Sequence, residues 1–210
     1  MPPESLIATA QRLDALGLMP SKSGNVSMRV EGGFRITPSS LPYAALEPAD
    51  LVDVALDGQV MAGRHRPSSE WRLHAEIYAA RPEARAIVHT HSPRATALSC
   101  VRRGLPAFHY MIALGGGDDI RCSAYATFGT GELAVCAVEA LKDRRACLLA
   151  NHGVVALGST LAAAESLARE VENLASEYLD ILAARLEPVL LTPAEMVAVA
   201  AQFSGYGRMA

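Results

Sequence analysis

Aromatic residues are scarce in this chain: one Trp, six Tyr and four Phe among 210 residues. A core with so few rings is largely aliphatic and alanine-rich, and its small side chains let elements pack closely. Charge of one sign is lacking too. The net charge is −3, and the longest basic cluster is Arg102-Arg103. That leaves little to neutralise a phosphate backbone and excludes general nucleic-acid binding. No apolar run reaches the roughly 18 residues that a membrane span needs. Met1-Pro2-Pro3-Glu4 has neither the basic start nor the apolar stretch of a signal peptide, so a cytoplasmic location is expected. The four cysteines, Cys100, Cys122, Cys136 and Cys147, form no C-x-x-C pair. They read as buried free thiols in a reducing compartment. Gly115-Gly116-Gly117 lacks the G-x-G-x-x-G spacing of a nucleotide fingerprint.

What is there fits an ordinary globular chain: 50% hydrophobic and 20% charged residues. The length suits one domain over residues 1–210. Periodicity predicts a helix over 5–18, capped at Ser5 and stopped near Gly17. Strands are expected at 25–30 and 34–37, joined at Glu31-Gly32-Gly33, and at 51–56 and 59–62 around Asp57-Gly58. A helix over 70–81 ends before Pro82, and a strand covers 85–91. Pro93 opens a helix over 93–100, and a further strand is expected near 107–112. Helices over 130–142, 160–185 and 193–203 and a buried strand at 146–150 complete a mixed α/β fold. The early hairpins argue for antiparallel pairing.

Chemistry concentrates in a few places. His89-Thr90-His91 ends an apolar strand. Side chains two apart on a strand share a face, so both imidazoles can converge on one metal ion. His152 follows the apolar run Leu148-Leu149-Ala150 and precedes Gly153, which permits a turn. Three histidines make a catalytic-type zinc site with one open position, whereas each histidine alone reads equally as a structural residue. His65 and His74 have no such context and read as structural or surface residues. Ser68-Ser69-Glu70 opens a helix. It reads as a serine cap with a favourable carboxylate, or as an anion site at the helix N-terminus with Glu70 as metal ligand or base. Ser23-Gly24-Asn25 and Thr37-Pro38-Ser39-Ser40 are small-residue turns, read as plain turns or as phosphate-binding loops.

At these residues the sequence resembles the class II aldolase/adducin family, and within it the L-fuculose-1-phosphate aldolases. The resemblance rests on Ser23-Gly24-Asn25-Val26-Ser27, Ile36-Thr37-Pro38, Pro67–Arg72, Val88–His91, His109–Ala113, Tyr125–Thr130, His152-Gly153 and Tyr206-Gly207, in that order along nearly the whole chain. It implies a three-layer αβα fold with a mainly antiparallel central sheet. It implies Zn2+, or another divalent ion such as Mn2+ or Co2+, on His89, His91 and His152, with Glu70 beside the metal. The implied phosphate site is Gly24, Asn25, Ser39, Ser40, Ser68 and Ser69. Tyr110 matches the family's catalytic tyrosine, which reaches a neighbouring subunit's site; Phe128 and Tyr206 match residues on the aldehyde side. A C4-symmetric homotetramer with interfacial sites is the family's usual assembly.

The implied reaction is reversible cleavage of a ketose 1-phosphate into dihydroxyacetone phosphate and an aldehyde. Tyr110 would take the C4 hydroxyl proton, and Glu70 would protonate the enediolate carbon. Lys22, Ser40 and Asn151 depart from the fuculose pattern of threonine, glycine and histidine. They leave room for a 5-deoxy- or 5-methylthio-pentulose 1-phosphate. A pentulose-phosphate 4-epimerase or a dehydratase on the same scaffold stays open. A non-catalytic adducin-like interaction domain would have no need of His89, His91, His152 and Glu70.

Overall fold

The computed structural model describes residues 3–205. The first helix, α1 (Pro3–Ala15), is followed by the hairpin β1 (Asn25–Val30) and β2 (Gly33–Ile36), then by β3 (Val52–Ala55) and β4 (Val60–Ala62). After these come α2 (Trp71–Ala80), β5 (Ala86–Thr90), α3 (Pro93–Cys100) and the two-residue β6 (Arg121–Cys122). The chain continues through α4 (Gly131–Ala140), β7 (Ala146–Leu149), β8 (Gly153–Gly158), α5 (Leu161–Ala183) and α6 (Pro193–Gly205). The strands form one sheet in the order β4-β3-β2-β1-β5-β8-β7-β6. Every pairing is antiparallel except β6 with β7. The mainly antiparallel sheet is therefore as expected.

Strand alternation sorts the side chains into two apolar layers. Val26 and Met28 of β1, Ala86 and Val88 of β5 and Val154 and Ala156 of β8 face a core shared with α1, α3 and α5. Ile87, Val155 and Leu157 face the opposite core, shared with α2 and α4. Helices thus cover both faces, and the fold is a three-layer αβα sandwich. The polar residues Asn25 and Ser27 alternate with Val26 and Met28, so they lie on the α2 side of β1. Both are nonetheless buried.

Local chemistry sets the element ends. Thr160 caps α5 by accepting from the Ala163 N–H, and Thr130 caps α4 through Leu133. The first helix starts at Pro3, so Ser5 lies inside its first turn instead of at the cap. Proline's fixed φ suits a first helical turn. The strand expected near 107–112 is absent. Tyr110–Gly115 is a 3-10 helix whose first turn is capped by His109 Nδ1, accepting from the Met111 N–H. The neighbouring sheet edge is already taken: Leu105 bridges Ile120, and Arg121–Cys122 pairs with β7. The thiols also differ from expectation. All four are free, but only Cys147 is buried, Cys122 and Cys136 are half-buried and Cys100 is exposed.

Candidate functional site

Three strand ends meet where β5 stops. Asn25, the first residue of β1, pairs with His89, and Val154 of β8 pairs with Thr90. Two glycines make that junction fit. A Cβ at Gly24 would lie 2.6 Å from the His89 carbonyl oxygen, and one at Gly153 would lie 2.3 Å from that of Thr90. Gly24 also sits at φ +101°, a region that L side chains rarely adopt. His152 lies in the β7–β8 turn, where Asn151 takes a φ of 57°. The His152 N–H donates to Leu149 O and to Ser99 Oγ, which fixes the turn.

Four side chains converge here. One ligand atom from each of Glu70, His89, His91 and His152 lies within 4.8 Å of all the others. The three imidazole rings meet edge to face, with centroids 4.8–4.9 Å apart. His89 Nδ1 donates to the Val154 carbonyl at 2.8 Å. In the neutral ring this leaves the lone pair on Nε2. That atom faces His91 Nε2 at 3.1 Å and Glu70 Oε2 at 3.0 Å. Glu70 Oε1 lies 3.2 Å from His152 Nε2 but is a buried oxygen without a hydrogen bond. Electron pairs gathered in this way need a proton or a cation among them. Three imidazole nitrogens and a carboxylate are a donor set for a divalent transition metal. The residues present therefore fit such an ion.

The electrostatics agree. Burial opposes charge on Glu70, but the positive field of His89 and His152 outweighs it and holds the carboxyl well below the usual carboxylate range. Burial lowers His89, yet Glu70 more than offsets this and raises it. His91 is pushed down to about 3, first by burial and then by His89 and His152. A ring so resistant to protonation keeps its lone pair for a cation.

Glu70, His91 and His152 line a cavity of about 490 Å³, whereas His89 is fully buried and does not reach its surface. Gly24, Asn25, Ser39, Ser40, Ser68 and Ser69 all line it, together with Lys22. The loops carrying them are tied to one another: Ser39 N–H donates to Arg66 O, and Ser68 N–H donates to Thr37 O. Ser40 takes a φ of 69°. The two serines before α2 differ. Ser68 Oγ accepts from the Glu70 N–H, whereas Ser69 is exposed to the cavity. Asn25 lines the cavity but is almost wholly buried, and its amide is bonded at both ends, to Glu70 and to His74.

The aldehyde-side expectations divide. Phe128 lines the same cavity and is largely exposed, with Tyr125 and Asn151 beside it. Tyr110 does not line the cavity of its own chain. It is half exposed and stacks on Phe203 of α6, with ring centroids 6.2 Å apart. Tyr206 lies outside the described residues. Of the other histidines, His65 hydrogen-bonds Asp50.

His74 does more than the sequence reading allowed. It is fully buried beneath Glu70 and bonded to both Ser27 and Asn25. The signal was present. Glu70, His74 and Tyr78 recur every four residues along one helix face, and Asn25 and Ser27 alternate on one strand face.

Among the described residues no helix is long and apolar enough to cross a membrane. The family of the class II aldolase and adducin N-terminal domain matches residues 4–179. A 5-methylthioribulose-1-phosphate/5-deoxyribulose-1-phosphate aldolase of Rhodospirillum rubrum is 49% identical over 202 residues, covering 96% of this chain and 90% of that protein. An L-fuculose phosphate aldolase of Escherichia coli K12 is 43% identical over 202 residues, covering 96% and 94%. The solved structure of an L-fuculose 1-phosphate aldolase superposes with a TM-score of 0.92 at 39% identity, covering 96% of this chain and 95% of that one. With its three-layer fold, its histidine and glutamate cluster and these relatives, the chain belongs to the class II aldolase and adducin family.

Proposed function

We propose that this chain is a divalent-metal-dependent aldolase, forming one domain over residues 1–210, that reversibly cleaves a ketose 1-phosphate into dihydroxyacetone phosphate and an aldehyde. The observation that carries the proposal is the convergence of Glu70, His89, His91 and His152, three of which line a cavity walled by serines and loop backbone. His89, His91 and His152 hold the ion, which we take to be Zn2+. The bound ion supplies a Lewis acid for the negative charge that develops on the dihydroxyacetone phosphate half.

Gly24, Asn25, Ser39, Ser40, Ser68 and Ser69 surround the phosphate, and the N-terminus of α2 adds its positive end. Lys22 brings a point charge to the same wall. Glu70, ionised at rest, takes the proton from the dihydroxyacetone phosphate carbon in the aldol direction and returns it in cleavage. Tyr110 handles the C4 hydroxyl proton in the cavity of a neighbouring subunit. That it does not line its own cavity and that its ring is half exposed support this reading and a homotetramer with interfacial sites. Tyr206 belongs to the aldehyde side of the same assembly. The enzyme works in the cytoplasm.

The rings of Tyr125 and Phe128 give the aldehyde side an apolar wall. Together with the Rhodospirillum rubrum relative, this favours a 5-methylthio- or 5-deoxy-pentulose 1-phosphate over L-fuculose 1-phosphate. The test is aldol addition by metal-loaded protein. Dihydroxyacetone phosphate is held fixed while methylthioacetaldehyde, acetaldehyde, lactaldehyde and glycolaldehyde are compared by kcat/KM. Higher values for the first two are expected. No turnover with any aldehyde overturns the aldolase reading, and a preference for lactaldehyde or glycolaldehyde overturns the substrate choice.

A further inference from the structure

A buried chain of hydrogen bonds runs from the back of the Glu70 carboxylate into the α2–β1 interface. Glu70 Oε2 meets Asn25 Nδ2 at 3.0 Å, and Asn25 Oδ1 meets His74 Nε2 at 2.5 Å. His74 Nδ1 meets Ser27 Oγ at 2.6 Å, and Ser27 Oγ meets Tyr78 OH at 2.9 Å. All five side chains are buried. Tyr78 ends the chain between the Phe34 ring and the Arg29 guanidinium, which stacks 4.6 Å from its centroid.

The donor and acceptor roles can be assigned in sequence. An ionised carboxylate only accepts, so Asn25 must turn its NH2 toward Glu70. Its carbonyl then faces His74, and that ring must donate from Nε2. A neutral imidazole has one N–H, so Nδ1 carries the lone pair. Ser27 must donate to it, and Tyr78 must donate to Ser27. The Asn25 amide has two near-isosteric orientations, and only one of them donates to Glu70. The Glu70 carboxylate selects that orientation from one side, and the single N–H of His74 locks it from the other.

We propose that His74 is a positioning residue for Glu70: its Nε2–H fixes the Asn25 amide so that the NH2 group holds Glu70 Oε2 in place beside the three histidines. The assignment of an acid–base role to Glu70 rests on the function proposed above, whereas the hydrogen-bond assignment does not. His74 touches neither substrate nor ligand atoms. Losing the Nε2 donor leaves the buried Asn25 carbonyl without its partner and loosens the amide, so its NH2 no longer holds Glu70 Oε2 at one point. Glu70 then loses its aim while the phosphate loops stay intact.

Two measurements on the zinc-loaded protein decide the matter. The first is the long-range proton–nitrogen correlation of 15N-histidine-labelled protein, with the His74 signals assigned by their loss in His74→Gln. A proton on Nε2 and a bare Nδ1 at neutral pH are expected; a proton on Nδ1 overturns the inference. The second compares His74→Leu with His74→Gln, whose amide N–H reaches the Nε2 position. His74→Leu should lower kcat about 10- to 100-fold, as outer-shell changes do, with KM for the ketose phosphate and metal content unchanged. His74→Gln should recover most of the loss. Equal losses in both variants, or KM rising in step with the loss of kcat, overturn the inference. Where His74→Leu fails to fold, Ser27→Ala replaces it. That variant strips the donor from Nδ1, and it should also lower kcat with metal retained; unchanged kcat counts against the inference. If the wild-type protein shows no aldolase turnover, the proposed function falls, and the tautomer measurement still decides the role of His74.

Discussion

The Nε2 atoms of His89 and His91 lie 3.1 Å apart, on rings that project from one side of the end of β5. His89 Nδ1 is committed to the Val154 carbonyl, so its ring is held by the neighbouring strand and offers only Nε2 to the cluster. A backbone partner of this kind fixes the tautomer of a metal-binding histidine. Three of the four candidate ligand residues thus owe their aim to sheet pairing and one tight turn.

Metal analysis of purified protein should find about one divalent ion per subunit, as a single three-histidine site requires. His91→Ala should abolish that content and the activity together. Retention of the ion and full activity by His91→Ala would sink the metal assignment.

Glu70→Gln should keep the fold, and at saturating metal it should keep the ion, because three histidines remain. Turnover should fall by about 10²- to 10⁴-fold, the usual contribution of a general acid–base group. Steady-state kinetics on metal-saturated variant checks this. Near-normal kcat removes Glu70 from proton transfer.

Ser68 and Ser69 should separate. Ser68 Oγ takes the Glu70 N–H, so Ser68→Ala should lower Tm. Ser69 faces the cavity, so Ser69→Ala should leave Tm unchanged and raise KM for phosphorylated substrate about tenfold, the scale of one hydrogen bond to a charged group. Thermal melts and KM values on the two variants read both effects, and an unchanged KM for Ser69→Ala excludes it from phosphate binding.

Asp50 anchors the loop that leads to the Pro67–Ser69 turn. Its carboxylate accepts from the Glu47 N–H, from Arg64 and from His65. The Glu47 main chain first, and then Arg64, lower its pKa from 3.8 to about 2. A carboxyl depressed in the folded state stabilises fully above its unfolded pKa and loses that contribution as pH falls through the folded value. Asp50→Asn should therefore lower Tm at neutral pH, and its gap to wild type should close as pH falls from 3.8 to about 2. A gap that persists undiminished at the acid end refutes the linkage.

Much of the site was legible because its signals are local. An H-x-H pair at a strand end puts two rings on one face whatever the rest of the fold does. Ser-Ser-Glu before a helix places a carboxylate at its positive end. The small-residue turns at Gly24 and Ser39-Ser40 announced themselves by composition, as did the hairpins and the long helix α5. Other features were not local. The apolar run around Tyr110 reads as a strand, but a strand exists only where an edge is open to it, and that edge is occupied. The strand Gly153–Gly158 was missed because its identity comes from its partners on both sides, β5 and β7.

By itself, the amino-acid sequence determined the mixed α/β class, the absence of a nucleic-acid-binding charge excess, and the H-x-H pair and small-residue turns that are candidates for a metal and a phosphate. These follow from periodicity and side-chain chemistry, which act over a few residues. Only the tertiary structure brings the three histidines to one point. His152 is 61 residues from His91 along the chain, and the two meet because the β7–β8 turn lies beside the end of β5. It also decided that Ser68 Oγ takes the Glu70 N–H while Ser69 faces the cavity, and that His74 is fully buried. Each of these depends on which element packs against which, and that choice is made by the two apolar layers closing over the sheet.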